Sequence, residues 1–363
     1  ALVQVSTPDA DGYCSLGVSV DVARFAMERA SVVIGEIDPG APFTFGDTFV
    51  HISEFDRVVE STEKPIYMDR WPYLPVHEKV AAKIAPLIED GSCLSFSTGP
   101  LFEALAEFLK EKHGLGIHSP VFTDSLMELV KSGAVTNRNK GVFRGKSLVS
   151  YAIGFKALYR WLDRNPYVEF QGLERSVHPA WIGKNPRFIA LLPARKVDLT
   201  GRVALYSGKR NVSAGPGEAM DLVNGAELSK GGFSIFGLPS RNSKGEPGIV
   251  LSVENQSNLF TLREAVDIAV TEYGSADLTG RSIRERAMAL IEIAHPEDRA
   301  QLVEQAKAAK LIYPDQIFLP ESARLYPSEA VDSRVFGDDL KVRFRAIRPS
   351  DEEEMRRLFY RFS

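Results

Sequence analysis

The chain has 363 residues, 44% hydrophobic and 25% charged, a composition typical of a folded globular protein that excludes a disordered or collagen-like chain. Lysine and arginine number 44 and aspartate and glutamate 48, so the net charge of −4 provides no positive field for a nucleic acid partner. The two cysteines, Cys14 and Cys93, form no zinc or disulfide motif, which predicts reduced, buried thiols in a cytoplasmic protein. Apolar runs such as 188–193 are far shorter than the roughly 20 residues of a membrane helix, so no membrane partner is predicted.

Alternating apolar runs and turns over residues 1–60 predict a layered α/β unit with a parallel sheet. The predicted strands cover 1–5, 18–20 and 32–37. The predicted helix between the last two carries an apolar face of Val22, Phe25, Ala26 and Ala30. Because the chain opens on a strand without a methionine, we expect further sequence upstream.

Prolines at positions 65, 72 and 75 interrupt the next stretch and predict a linker, so a second α/β domain is expected to begin near residue 76. Its first predicted elements are helix 76–88, strand 93–96, helix 101–112, helix 123–131, strand 146–153, helix 155–163 and strand 187–192. Further along, Ser282 and Glu285 form a capping box, which predicts a helix start. Pro296 then marks the first turn of a following helix, with Leu302, Val303 and Ala306 on its inner face.

The end of the chain shows a separate pattern. Leu340, Val342 and Phe344 alternate with basic residues, which predicts a half-buried strand. A capping box of Ser350 and Glu353 predicts a helix after it. A lone strand and helix cannot bury two apolar faces, so we expect the start of another domain. The alternative is an extension that packs back on the main body.

The residues themselves favour few kinds of chemistry. None of the six histidines lies at metal-ligand spacing from another histidine or a carboxylate, which predicts no metal centre, and no phosphate-binding loop or serine-hydrolase motif occurs. The glycine-rich stretch 213–221 offers free backbone N–H groups that could hold a phosphate or a carbonyl oxygen. Glu254 follows an apolar run, where a partly desolvated carboxylate could act as a nucleophile. The alternatives are a simple turn and a solvated strand end, respectively.

Several stretches resemble the acetyl-CoA hydrolase/transferase family. They are PDADGYCSLGVSV (8–20), GDTFVHI (46–52), GLGIHSPVFTD (114–124), GKSLV (145–149), NPYVEF (165–170), VDLTGRV (197–203), VTEYGSADLTGRSIRER (270–286) and IAHPEDR (293–299). The resemblance implies an α/β fold with two open CoA-transferase-like domains, the first truncated, and a short C-terminal strand–helix extension. The implied domains are 1–75, 76–335 and 336–363, the last resembling the beginning of a GNAT acetyltransferase.

The family reaction uses a glutamate that attacks the acyl-CoA thioester, and this glutamate lies two residues before the Asp of V-D-L-T-G. In this chain that position is Lys196. A lysine is protonated unless strongly desolvated, and its acyl product is a stable amide, so we expect turnover by the family route to stop. The family's G-G-Q-x-D-F loop aligns with 217–222. The resemblance therefore implies CoA contacts by Gly215, Gly217, Ala219 and Met220.

Three hypotheses are compatible with the sequence. The chain is a binding or regulatory module for CoA or acyl-CoA, beside a downstream acetyltransferase domain. Alternatively, it is an active CoA-transferase or thioesterase with a relocated carboxylate, Glu254 first and Glu218 next. A third reading is an assembly protein that binds no CoA. The resemblance implies acyl-CoA as the small-molecule partner, no metal, and a homodimer.

Overall fold

The computed structural model describes residues 1–63, 65–205, 217–255, 259–260, 263–316, 331–337, 340–345 and 352–359. The chain divides into two compact units, Ala1–Pro314 and Asp315–Ser363. Among the described residues, no helix is both long enough and apolar enough to cross a membrane.

The first 60 residues build a small parallel sheet. Their elements are β1 (Leu2–Val5), β2 (Tyr13–Ser15), α1 (Ala23–Arg29), β3 (Ile34–Ile37), β4 (Phe45–Gly46), β5 (Phe49–His51) and β6 (Arg57–Glu60). β1, β3 and β6 pair in parallel in that order, which confirms the predicted parallel layer. The predicted strand 18–20 was wrong: this run is a turn whose Ser19 makes a single bridge to Tyr151. The predicted apolar face of α1 is only partly buried, because Phe25 is 57% exposed.

The middle of the chain continues the alternation of helices and strands. Its elements are α2 (Pro75–Ile84), β7 (Cys93–Ser95), α3 (Pro100–Leu109), β8 (Gly116–Ile117), β9 (Val121–Phe122), α4 (Asp124–Lys131), β10 (Ser147–Val149), β11 (Tyr151–Ala152), α5 (Lys156–Leu162), β12 (Val168–Phe170), α6 (Leu173–Ser176) and α7 (Pro179–Ile182). The predicted strand 146–153 is divided in two, because β10 pairs with β12 whereas β11 pairs with β9. β12 also pairs with β4, so the first 75 residues share a sheet with the later chain.

The rest of the first unit contains β13 (Phe188–Pro193), β14 (Lys196–Asp198), β15 (Val203–Ala204), α8 (Ala219–Leu228), β16 (Phe233–Gly237), β17 (Ile249–Val250), β18 (Leu259–Phe260), β19 (Ile268–Thr271), β20 (Gly274–Asp277), α9 (Ile283–Ile293) and α10 (Pro296–Ala308). The capping box of α9 is confirmed, since Ser282 N donates to Glu285 Oε2 at 2.9 Å and Glu285 N donates to Ser282 Oγ at 3.4 Å. The predicted inner face of α10 is buried.

The central sheet has six strands in the order β20-β19-β16-β13-β7-β8, and all neighbours except β20 and β19 run parallel. β13 is a nearly continuous run of buried apolar residues, as expected for a strand covered on both faces. Taken in chain order, the parallel strands are arranged 2-1-3-4-5. The direction of the chain progression therefore reverses between β7 and β13, and the crevice outside the carboxyl ends of such a pair is the usual ligand site of open α/β sheets.

In the second unit, an antiparallel hairpin joins β21 (Val331–Phe336) to β22 (Leu340–Arg345), and α11 (Glu352–Phe359) follows. A strand and a helix do occupy the predicted positions, but the strand is not half-buried as predicted, because Leu340 is 64% and Phe344 49% exposed. β21 was not predicted, because Asp332, Ser333 and Arg334 interrupt its apolar pattern. Ser350 of the predicted capping box lies outside the described residues. The boundaries at 75 and 335 stay predictions.

Candidate functional site

A cavity of about 60 Å³ lies at the reversal point of the central sheet. We call it the switch-point cavity. Its walls come from the segments that follow β7, β8 and β15, from β11, from the end of β13 and from the start of α8. They include Phe96, Pro120, Tyr151, Leu192, Leu205 and Glu218. Its position is the one that the strand order predicts for a ligand.

Two hydrogen bonds between Ser119 and Phe96 hold the wall after β7 in place. Ser119 Oγ donates to Phe96 O at 2.8 Å, and Phe96 N donates back to Ser119 Oγ at 3.0 Å. The neighbouring His118 is fully buried, with its Nδ1 2.9 Å from Asn185 Nδ2. Burial, aided by the positive charge of Lys140, lowers the pKa of His118 to about 3. His118 is therefore neutral near pH 7 and supports the wall instead of exchanging protons.

Glu218 is the residue immediately before α8, and it borders two cavities. It lines the switch-point cavity and also a wider cavity of about 500 Å³, whose walls include Leu173, His178 and Asp221. Among the described lining residues of the switch-point cavity, Glu218 is the one carboxylate. The N–H groups and dipole of the following helix favour a negative charge at this position.

The predicted CoA-contacting residues are distributed unevenly around these cavities. Gly217, with φ of +58°, lines the wider cavity, and Ala219 lines the switch-point cavity. Met220 is half-buried on α8 and lines neither of them. Gly215 lies outside the described residues. The structure thus brings 217–219 to the site, whereas the assignment of CoA contacts stays a prediction.

Lys196 lies beyond the carboxyl end of β13. It is the first residue of β14, where it pairs with Ala204 and is half-buried. Its side chain makes no hydrogen bond or ion pair with the residues that the structure describes. Leu205, next to its strand partner, lines the switch-point cavity, but Lys196 itself is not among the lining residues. Lys196 and Glu218 therefore flank the site without sharing a cavity.

The V-D-L-T-G segment forms a fully hydrogen-bonded turn around Asp198, which has no exposed surface. Asp198 Oδ1 accepts from Thr200 N at 2.9 Å and from Thr200 Oγ1 at 2.7 Å, and Oδ2 accepts from Arg202 Nε at 2.8 Å. Arg202 Nη1 also donates to Glu254 at 3.0 Å. The side chain of Glu254 is 69% exposed and lines neither cavity. This geometry matches the solvated strand end that was the alternative interpretation of Glu254.

The V-T-E-Y-G segment (270–274) lies at the same edge of the sheet and covers the end of β19 and the turn into β20. Both carboxylate oxygens of Glu272 are occupied, because Ser240 N donates to Oε2 at 2.8 Å and Ser240 Oγ donates to Oε1 at 2.6 Å. Glu272 thus ties the segment after β16 to β19. Sequence reasoning missed Pro120 and Tyr151 as cavity walls. Pro120 belongs to the family-like segment 114–124 and Tyr151 to the predicted strand 146–153, but neither pattern indicates a ligand, and the strand order alone brings the two residues together. No cluster of at least three metal-ligating side chains occurs within the described residues.

Comparison with known proteins agrees with this architecture. The model of the acetyl-CoA hydrolase/transferase N-terminal domain matches residues 1–68, and that of the C-terminal domain matches residues 154–306. A 4-hydroxybutyrate coenzyme A transferase from Clostridium kluyveri is 40% identical over 309 residues, which cover 85% of this chain and 72% of that protein. The chain belongs to the acetyl-CoA hydrolase/transferase family.

Another relative is a succinyl-CoA:cyclohexane-1-carboxylate CoA transferase from Geobacter metallireducens. It is 34% identical to this chain, and the match covers 84% of this chain and 70% of that protein. The crystal structure of RipA from Yersinia pestis is similar with a TM-score of 0.80 and 32% identity, covering 86% of this chain and 70% of that one. The crystal structure of a 4-hydroxybutyrate CoA-transferase from Porphyromonas gingivalis is similar with a TM-score of 0.76 and 34% identity, covering 85% of this chain and 74% of that one. The predicted CoA-transferase-like α/β fold is confirmed.

Proposed function

We propose that the chain binds CoA or acyl-CoA across the switch-point cavity and the wider cavity that Glu218 also lines, and does not transfer the acyl group through position 196. The observation that carries the proposal is Lys196, which stands where the family resemblance assigns the nucleophilic glutamate. Family membership and a cavity at the carboxyl edge of the sheet support the binding half.

The chemistry explains why a lysine blocks the family route. A glutamate oxygen attacks the thioester carbonyl, releases the CoA thiolate and forms a mixed anhydride, which the thiolate then opens to a glutamyl-CoA thioester and a free carboxylate. A protonated lysine has no lone pair for the first step. A neutral lysine would release the thiolate too, but the amide it forms is too stable for the thiolate to reopen.

The finer proposal is a regulatory role beside an acetyltransferase domain that would use the same acetyl-CoA. It rests on the resemblance of residues 336–363 to the beginning of a GNAT domain. The described part of that segment contains the strand β22 and the helix α11.

Calorimetry with CoA and acetyl-CoA tests the binding proposal. We expect measurable heat with the wild-type chain, and affinity reduced about tenfold in Ala219→Leu, whose larger side chain fills part of the switch-point cavity. Leu228→Ala is the matched control, because Leu228 lies at the other end of α8 and is 62% exposed. Absence of heat with millimolar ligand would instead favour an assembly protein that binds no CoA.

A second candidate function is acyl transfer or thioester hydrolysis through Glu218, favoured by the position of this carboxylate at both cavities. Mass spectrometry after incubation with acyl-CoA distinguishes the two functions, with hydroxylamine used to trap activated carboxylates. An adduct that survives in Glu254→Gln and is lost in Glu218→Gln would establish the second function. We expect the wild-type protein to bind acyl-CoA and to form no adduct.

A further inference from the structure

A separate cavity of about 600 Å³ lies between residues 38–42, the residues Glu63, Pro65 and Tyr67, and the α5 region. We call it the Asp38 cavity. It shares no lining residue with the switch-point cavity. The side chains used in the argument below are Asp38, Tyr67, Lys156, Tyr159, Arg160 and Asp163.

Asp38 is a buried carboxylate with one unused oxygen. The residue is 2% exposed, and its Oδ1 accepts from Gly40 N at 2.7 Å. Oδ2 is buried and has no hydrogen-bond partner among the described residues. Burial of such an oxygen without a donor is costly, and native proteins leave few of them. A ligand that brings a cationic donor to Oδ2 would remove this cost.

The remaining walls suit an organic cation. Tyr67 and Tyr159 meet edge to face with ring centroids 5.1 Å apart, and Pro39, Pro42 and Pro65 add apolar surface. Aromatic faces attract ammonium groups. Among the residues that the structure describes, the charged lining residues are the three acids Asp38, Glu63 and Asp163 and the two bases Lys156 and Arg160. These described walls therefore place an excess of negative charge beside an apolar surface.

We propose that the Asp38 cavity binds a small primary ammonium compound with an apolar or aromatic body. The ammonium group donates to Asp38 Oδ2, and the body packs against Tyr67 and Tyr159. A free amine and an amino acid share this chemistry. An amino acid would in addition place its carboxylate near Lys156 or Arg160.

Three probes of similar shape test the proposal by calorimetry on the full chain: phenethylamine, L-phenylalanine and 3-phenylpropionate. We expect phenethylamine to bind and 3-phenylpropionate not to bind. Phenylalanine binding as tightly as phenethylamine supports an amino acid as the natural ligand, and binding of the amine alone supports a simple amine. Binding of the anion at equal strength, or no binding of any probe at about 10 mM, overturns the proposal.

Asp38→Asn is the sharpest variant, because its amide oxygen can still accept from Gly40 N while an NH₂ group replaces Oδ2. We expect phenethylamine affinity to fall at least about tenfold with little change in Tm. Asp56→Asn is the matched control: Asp56 is exposed, its Oδ2 accepts from Val33 N at 2.8 Å, and it is not among the residues that line the cavity. Should Asp38→Asn fail to fold, Tyr67→Leu is expected to weaken binding through the aromatic wall. If the affinity for phenethylamine is unchanged in Asp38→Asn and in Tyr67→Leu, the proposal is wrong.

Discussion

Two segments that follow β13 place acidic residues in opposite environments. In the turn of residues 196–204, Asp198 is fully buried and both its oxygens accept hydrogen bonds from the turn itself. At the start of α8, Glu218 lines two cavities. The first carboxylate shapes the backbone, whereas the second faces space that a ligand could fill. The family-like residues of V-D-L-T-G are retained around Asp198, whereas position 196, two residues earlier, and the 217–222 loop that contains Glu218 both depart from the family pattern.

Replacement of Asp198 by alanine should have the largest effect of all. It leaves the Thr200 N–H and the Arg202 guanidinium without their buried acceptor, so we expect a loss of about 3 kcal/mol in the free energy of unfolding. Urea unfolding followed by circular dichroism measures it. A loss below about 1 kcal/mol would mean that the turn is held mainly by its other contacts.

The substitution Lys196→Glu tests whether the residue at position 196 alone determines whether the chain forms an acyl adduct with acetyl-CoA. We expect the new carboxylate to form a hydroxylamine-sensitive adduct with acetyl-CoA, at a rate about tenfold or more above wild type, because a carboxylate forms a labile anhydride. Mass spectrometry of the intact protein detects it. Lys196→Gln serves as the control that removes the charge without adding a nucleophile. If Lys196→Glu forms no adduct, the altered loop at 217–222 also prevents the reaction.

Lys140 extends the comparison to a buried cation. Its Nζ donates to Ile117 O at 2.7 Å and to Lys146 O at 2.8 Å, yet burial lowers its pKa to about 8, against the opposing influence of Cys93 and Glu169. Between pH 8 and the ordinary lysine pKa of about 10.4, Lys140 binds a proton in the unfolded chain more often than in the folded chain. Stability from Lys140 therefore rises with pH, by about 1 kcal/mol from pH 7.5 to 9.

Urea unfolding of wild type and Lys140→Met across this range isolates the effect. The comparison with the variant is necessary because burial also raises the pKa of Cys93 to about 11. The Cys93 thiol therefore lowers the stability of the folded chain as the pH rises above the pKa that this thiol has in the unfolded chain. The stability difference, wild type minus variant, should grow with pH. A constant difference would show that Lys140 keeps its proton throughout.

Glu254→Gln should have the smallest effect. The side chain is exposed and its ion pair with Arg202 lies in solvent, so stability should change by less than about 0.5 kcal/mol. Acyl-CoA binding and adduct formation should match wild type. A clear loss of either in calorimetry or mass spectrometry would return Glu254 to the list of functional carboxylates.

Local patterns predicted those elements whose signals lie within a few residues of each other. The capping box at Ser282 and the apolar run of β13 are examples, since a side chain that bonds a backbone group three residues away needs no tertiary partner. The split of 146–153 into two strands was not predictable in this way. Both halves are apolar, and only their different partners, β12 and β9, divide them.

By itself the sequence determined the α/β class, the family resemblance and the presence of a lysine at position 196. Only the tertiary structure decided which acidic residue faces a cavity. Glu254 and Glu218 both follow or precede regular elements, and nothing in their neighbours along the chain separates them. The strand order of the central sheet brings Glu218 beside Phe96 and Leu192, while Arg202 holds Glu254 in solvent. Burial and ion pairing depend on residues far apart in the chain, and for that reason they became visible only in the folded protein.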